Sequence, residues 1–345
     1  QYRGAYRSRC FFCCRVFYST DRIVRSHGLR QSDRSPLTIQ PHDGTGARHA
    51  LPPHRLNSTD PIPRTLPSWV HLVHKWRCRH CGLSAWSDRH EQLKRTVGSH
   101  LFDHHSGRVT KADFRLQWAC PYCSATGKAH DEGEIVEEFK EHLGDHGTNA
   151  IERNAHIASE IDRSGNVLVK APTESDVANN ARVHFLSGSD LAIVVTKRPK
   201  ERLRLLDRRL ERWPGRTVVM TTKRRPLEGS FELDLSSVSI ELVELDRRLG
   251  PSELGETISR VIDVHHTSDD TVSVEFDILS DIVRSFDLQT TYDFVSMLSR
   301  RLGEVGANAH LYVAARPQLS SALNVLDDKI DLELDTESRV FTAEP

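Results

Sequence analysis

Trp76-Arg-Cys78-Arg-His-Cys81, continued by His100-Leu-Phe-Asp-His104, returns 42 positions later as Trp118-Ala-Cys120-Pro-Tyr-Cys123, continued by His142-Leu-Gly-Asp-His146. Both copies read C-x2-C-x18-H-x3-H. The apolar positions keep the same offset: Leu93 with Ile135, Val97 with Phe139, and Leu101 with Leu143. Chance does not preserve ligand types, ligand spacing and apolar positions together. The stretch is therefore read as two metal-binding modules in tandem, at residues 67–108 and 109–150.

Each module is expected to open on a short hairpin or knuckle whose turn brings two thiolates to one ion. A helix carrying both histidines follows. In the first helix Leu93, Val97 and Leu101 recur at i, i+4 and i+8, and His100 and His104 fall on the same stripe. Two thiolates with two imidazoles suit tetrahedral zinc, with every position filled by protein, so a structural ion is expected in each module and two ions per chain. The ligands are read as Cys78, Cys81, His100 and His104, then Cys120, Cys123, His142 and His146. His105 could stand in for His104, and the repeat favours His104. The pattern resembles the C2H2 zinc-finger family. It departs in the Cys-to-His spacing, 18 residues here against about 12 in the fingers that read DNA. The extra residues are expected as longer loops near 84–88 and 125–131, and no base-contacting position is transferred.

Charge is unevenly distributed. Residues 1–75 hold 12 Lys/Arg against 4 Asp/Glu, a net of +8, whereas the remainder carries a net of −9. A globally basic nucleic-acid binder would not look like this. Residues 1–66, rich in Arg, Ser, His and Pro, are expected to be a disordered basic leader. The only methionines are Met220 and Met297, so the leader is also read as a stretch that could precede the native start. Cys10, Cys13, Cys14 and His27 within it lack a second ligand pair at a usable spacing. The CxxC pairs with downstream histidines fit metal ligation in a reducing compartment. No run of about 18 apolar residues exists, and a cytoplasmic location without membrane contact is expected.

The helices differ in their fitness for nucleic acid. Residues 89–105 carry a net charge of +1, and residues 131–146 a net of −6. Phosphates repel the second, since phosphate contacts supply most of the affinity for DNA. Arg89, Lys94 and Arg95 beside Trp86 form the best candidate nucleic-acid patch, with the basic leader as its extension; a solvated helix face is the competing reading.

From residue 151 to 345 the pattern changes. β-Branched runs at 166–170, 191–196, 217–221, 238–245, 272–276, 309–314 and 330–334 alternate with helical patterns near 174–187, 200–213, 251–264, 279–286, 290–305 and 318–328. This alternation predicts an α/β domain with a mostly parallel sheet covered on both faces. The whole chain is thus α+β: two small hairpin–helix modules followed by an α/β domain. Such sheets bind ligands at the carboxyl ends of their strands. The loop there, residues 171–180, has neither the glycines nor the lysine of a phosphate-binding loop. Lys170 and Asp277 are the only remnants of a nucleotide site, and Asp277 reads better as the N-cap of the following helix. No G-x-S-x-G elbow or cysteine offers a nucleophile in this domain. His265 and His266 beside Asp263, Asp269 and Asp270 are read as a solvated turn rather than a further metal site.

Residues 274–287 (Val-Glu-Phe-Asp-Ile-Leu-Ser-Asp-Ile-Val-Arg-Ser-Phe-Asp), 292–302 (Tyr-Asp-Phe-Val-Ser-Met-Leu-Ser-Arg-Arg-Leu) and 309–313 (Ala-His-Leu-Tyr-Val) resemble the degenerate RecA/KaiC-like domains of halophilic archaea. The resemblance extends over about 166–335 and implies a RecA-type fold in a regulatory or signalling setting. Members with an intact loop would bind ATP, and this chain departs at those residues. The expectation is a non-enzymatic zinc-binding regulator with a pseudo-ATPase domain and a protein partner. A DNA-binding transcription regulator and an ATP-dependent switch are the alternatives. The sequence does not specify an oligomeric state.

Overall fold

Leu191, Ile193 and Val195 pack into one apolar layer, while the intervening Ala192 and Val194 pack into another. A strand buried on both faces has this signature, and it makes the strand's sheet the middle of a three-layer sandwich. The computed structural model describes residues 71–106, 108–228, 233–314, 316–337 and 339–345. The leader at 1–66, with its cysteines, lies outside the described residues.

The first part of the chain forms β1 (Val73–Arg77), β2 (Ser84–Ser87), α1 (His90–His100), a π-helical turn (Leu101–Ser106), β3 (Val109–Ala112), β4 (Arg115–Ala119), β5 (Thr126–Ala129), α2 (Glu132–Thr148) and β6 (Glu152–Ala155). After a 3-10 turn (Ile157–Ile161) follow β7 (Gly165–Lys170), α3 (Asp176–Leu186), β8 (Leu191–Val195), α4 (Pro199–Arg209), β9 (Arg216–Thr221), β10 (Ile240–Glu244) and α5 (Pro251–His265). The chain continues through β11 (Val272–Phe276), α6 (Leu279–Ser285), α7 (Leu288–Glu304), β12 (Asn308–Val313), α8 (Pro317–Leu326), β13 (Leu332–Glu337) and β14 (Val340–Ala343). The strands and helices expected beyond residue 150 are all present, with ends displaced by up to four residues.

Seven strands run parallel in the order β10-β9-β8-β11-β12-β7-β13. Helices α5 to α8 cover one face and α3 and α4 the other. This mixed α/β architecture with a large, mostly parallel sheet agrees with the expected fold class. Caps mark several helix starts: Ser175 accepts from the Ala178 N–H, Asp287 from the Thr290 N–H, and proline opens α4, α5 and α8.

The sheet does not stop at β13. It turns antiparallel through β14 and continues through β2 and β1 to β6, giving eleven strands in all. The hairpin that carries the first cysteine pair is therefore built into the same sheet as the α/β domain. The second cysteine pair sits on a separate three-stranded sheet, β3-β4-β5. The stretches expected as longer loops, 84–88 and 125–131, are instead largely strands β2 and β5. Their backbone groups pair with β1 and β4, and that pairing satisfies the donors and acceptors that a loop would leave to water.

Helices α1 and α2 pack antiparallel against each other. A Cβ on Gly98 would fall 2.1 Å from the Lys140 carbonyl oxygen, and one on Gly144 would fall 2.8 Å from the Lys94 carbonyl oxygen. Only glycine allows that approach. Ion pairs flank the crossing: Lys94 with Asp145, and Lys140 with Asp103 at 3.5 Å. Asp103 and Asp145 are equivalent in the 42-residue repeat, so each copy's aspartate meets the other copy's lysine. Trp76, Leu93, Val97, Leu101, Trp118, Ile135, Phe139 and Leu143 form one shared core.

Candidate metal centres

In the second module the hairpin β4–β5 turns at Cys120-Pro-Tyr-Cys123, with the Cys120 N–H donating to the Ala125 carbonyl at 2.9 Å. Backbone N–H groups also point at the sulfurs, Tyr122 to Cys120 Sγ and Ala125 to Cys123 Sγ, each at 3.4 Å. Helix α2, capped by the Asp131 side chain, brings His142 and His146 to the same point one turn apart. Cys120 Sγ lies 3.4 Å from His146 Nε2, Cys123 Sγ 3.3 Å from His142 Nε2, and the two Nε2 atoms are 3.2 Å apart.

The first module reproduces these edges with one change of residue. Cys81 Sγ is 3.4 Å from His100 Nε2, and Cys78 Sγ is 3.4 Å from Nε2 of His105, not of His104. His105 Nε2 lies 3.1 Å from His100 Nε2. His105 thus takes the place that His146 holds in the other copy, and the assignment of His104 from the repeat is corrected. The cause is the π-helical turn at Leu101–Ser106. In an α-helix the residue four positions on shares a face, whereas wider π winding returns the residue five positions on. Phe102 stands in this turn where the second copy has Gly144, and its ring packs edge-on against Phe139 at 5.8 Å. His104 is exposed. The sequence did contain a signal for this change, the bulky Phe102 at a position where the repeat has glycine.

The geometry suits a tetrahedral ion. Legs of about 2.3 Å to sulfur and about 2.05 Å to nitrogen give S···N edges near 3.6 Å and N···N edges near 3.3 Å. The observed edges are 3.3–3.4 Å and 3.1–3.2 Å, and within each group the ligand atoms all lie within 4.8 Å of one another. Cys78 and Cys120 are buried. Burial pushes the Cys81 and Cys120 thiols up, a cost that a cation among the sulfurs offsets. Burial, with His105 and His104 nearby, lowers His100 to about 4, so its imidazole is neutral and able to ligate at pH 7. The two groups, each of two cysteines and two histidines, could each hold a metal ion, and they are compatible with zinc.

The candidate nucleic-acid patch fares differently. Trp86 is fully buried in the sheet and unavailable to any ligand. Lys94 is tied to Asp145, a hydrogen bond that raises its pKa. Arg89 and Arg95 are exposed. The patch anticipated from the sequence is thereby reduced to two arginines.

At the carboxyl edge of the parallel strands, the chain's own charges meet. Glu275 on β11 accepts from Arg182 Nε at 2.7 Å and from Arg202 Nε at 2.6 Å. Arg202 also donates to Asp277 at 2.8 Å, and the Thr196 hydroxyl donates to the same oxygen at 2.7 Å. Asp277 is therefore not a helix cap: Ile278 occupies the N-cap of α6. Burial opposes ionisation of Glu275, but Arg202 and Arg182 outweigh it and lower its pKa. For Asp277, burial and the Glu275 charge win and push it up. Arg182 lies 4.1 Å over the Tyr312 ring and donates to the Thr173 carbonyl in the loop after β7. Lys170 pairs with Glu333 at 2.6 Å. Sequence reasoning singled out Lys170 and Asp277 but missed Glu275, Arg182 and Arg202. The missing signal was a glutamate inside an apolar strand, which needs a buried cation.

A family model described as "Family of unknown function (DUF7504)" matches residues 164–336, which is 173 of the 345 residues. The chain belongs to the DUF7504 family. Both cysteine–histidine clusters of this DUF7504 chain precede the matched stretch, whereas the Glu275 network lies inside it. No curated relative matches. Among solved structures the chain is similar to a KaiC-like protein of Pyrococcus horikoshii OT3, at 16% identity over 50% of this chain and 73% of that one, TM-score 0.33. It is also similar to an uncharacterized Pyrococcus horikoshii protein in complex with an unknown peptide, at 11% identity over 52% and 82%, TM-score 0.37. A third protein of that organism, from a structural project, matches at 13% identity over 51% and 82%, TM-score 0.35. Among the described residues no helix is long and apolar enough to cross a membrane.

Proposed function

We propose that this chain is a non-enzymatic regulatory protein. In this reading two structural zinc ions hold its front modules, and its α/β domain serves as a protein-interaction platform that does not use a nucleotide. The observation that carries the reading is the Glu275 network. The carboxyl edge, where folds of this class place their ligands, is occupied by Arg182 and Arg202 neutralised against Glu275 and Asp277. The loop after β7 supports it, because residues 171–180 have neither the glycines nor the lysine that would close around a phosphate. Zinc would be held by four protein ligands in each module, leaving no open position for catalysis, and would supply folding free energy.

Two measurements on the full chain test the reading. Metal analysis of the purified protein should return two zinc ions per chain, matching the two clusters; far fewer removes the metal part. Thermal unfolding with and without millimolar Mg-ATP should give the same Tm. A ligand at one hundred times its Kd stabilises by about 2.7 kcal/mol, so an ATP-dependent rise of several degrees removes the nucleotide-independent part.

A further inference from the structure

The His100 ring lies with its centroid 4.9 Å from the His104 ring and 4.9 Å from the His105 ring. His105 completes the cluster, and His104 stands exposed beside the same imidazole, its ring centroid 6.4 Å from that of His105. The second module has no such pair: His146 is flanked by Asp145 and Gly147. Its corresponding His142–His146 ring distance of 4.8 Å belongs to the ligand pair itself.

The geometry points to the first metal centre being an exchangeable one, in which His104 and His105 are alternative fourth ligands selected by the winding of residues 101–106. With a π turn, five positions bring His105 onto His100's face; with α winding, four positions bring His104 there and carry His105 about 100° further round. The switch needs no rearrangement of the cysteine hairpin. Cys78 and Cys81 stay fixed by the β1–β2 ladder, and His100 is the last residue of the α-helical segment. What holds the π winding is the packing of Phe102 on Phe139, with the Lys140 ammonium 5.1 Å from the Phe102 ring centre. Both contacts come from the second module, so the relation between the two helices selects the ligand. Where the second copy has Gly144 the helix is α throughout, and its single arrangement uses His146. One module is thus fixed and the other can change ligand while keeping its metal. This inference rests on the metal reading above.

The test uses the full chain, Zn2+ as the only probe, and a competing chromophoric chelator to read stoichiometry and affinity. Wild type should bind two ions. His105→Ala should still bind two, with one of them weakened on the order of tenfold, the size of loss that disturbing a ligand's support produces. His104→Ala should bind two with unchanged affinity. The double variant His104→Ala/His105→Ala should bind one, and so should His146→Ala, which has no spare imidazole. In the same samples, acylation of histidines read by mass spectrometry should mark His104 and spare His105 in wild type. It should spare His104 in His105→Ala, a readout that does not depend on counting ions. A drop to one ion in His105→Ala, or in His104→Ala, overturns the exchange, as does retention of two ions by the double variant. A wild-type chain that binds no zinc overturns the metal reading itself, and the exchange with it.

Discussion

Trp86 stands directly opposite Phe341 in the antiparallel ladder between the hairpin strand that follows the first cysteine pair and the last strand of the chain. Both side chains are buried in the same apolar layer as Val167, Val169 and Tyr312 of the parallel strands. The first candidate metal site is therefore mechanically continuous with the α/β sheet, whereas the second cysteine pair sits on the separate sheet β3-β4-β5.

Loss of the first centre should consequently be felt in the α/β domain. Cys78→Ser is expected to lower amide exchange protection in 332–343 as well as in 73–87. Cys120→Ser should lower it mainly in 109–148. Hydrogen exchange read by mass spectrometry checks this, and equal protection of β14 in the two variants would remove the asymmetry.

The glycine crossing of α1 and α2 sets a second expectation. Gly98→Ala places a Cβ 2.1 Å from a backbone oxygen, and overpacking of this kind costs about 1–3 kcal/mol. Gly303→Ala, in helix α7 with nothing within 4 Å of the added carbon, should instead stabilise by roughly 0.5–1 kcal/mol through helix propensity. Urea unfolding of the two variants beside wild type decides between these signs. A neutral Gly98→Ala would mean the helices can move apart at little cost.

Glu275→Ala should destabilise by about 3–5 kcal/mol, because it leaves two buried guanidinium groups without their shared carboxylate. The companion change Glu275→Leu with Arg182→Met, Arg202→Leu and Asp277→Asn removes the whole buried charge set. It is expected to recover most of that loss. Chemical denaturation provides the numbers, and a single variant as stable as wild type would show that water reaches the arginines.

Acid stability should carry the mark of His156, whose ring stacks on the buried His184 at 4.1 Å. Burial, with Arg163 nearby, lowers His156 to about 4 from the ordinary 6.5. Between pH 6.5 and 4 the unfolded chain therefore binds the proton and the folded chain does not. Stability is fully present above about 6.5 and falls as pH drops toward 4, by up to roughly 3 kcal/mol for such a shift. His156→Phe should flatten this part of the curve relative to wild type. An unchanged slope would assign the acid sensitivity to other groups.

Much of this architecture is legible in local pattern. β-Branched runs broken by caps and prolines placed every strand and helix from β7 to β13, because period and punctuation are properties of neighbouring residues. The doubled C-x2-C spacing located both thiolate pairs, since a four-residue knuckle closes locally. Strand β14 was not visible, because a short segment becomes a strand only when another edge pairs with it.

By itself, then, the sequence determined the two cysteine-pair knuckles, His100, His142 and His146, and the alternation that forces a covered parallel sheet. Tertiary structure alone decided three things: that His105 replaces His104, that the first hairpin extends the α/β sheet, and that Arg182 and Arg202 close on Glu275. Each depends on partners far apart in the chain, Phe102 on Phe139, Trp86 on Phe341, Arg182 on Glu275. Periodicity reports which face a residue occupies, but the winding of one helical turn and the partner of one buried charge are set by packing across that face.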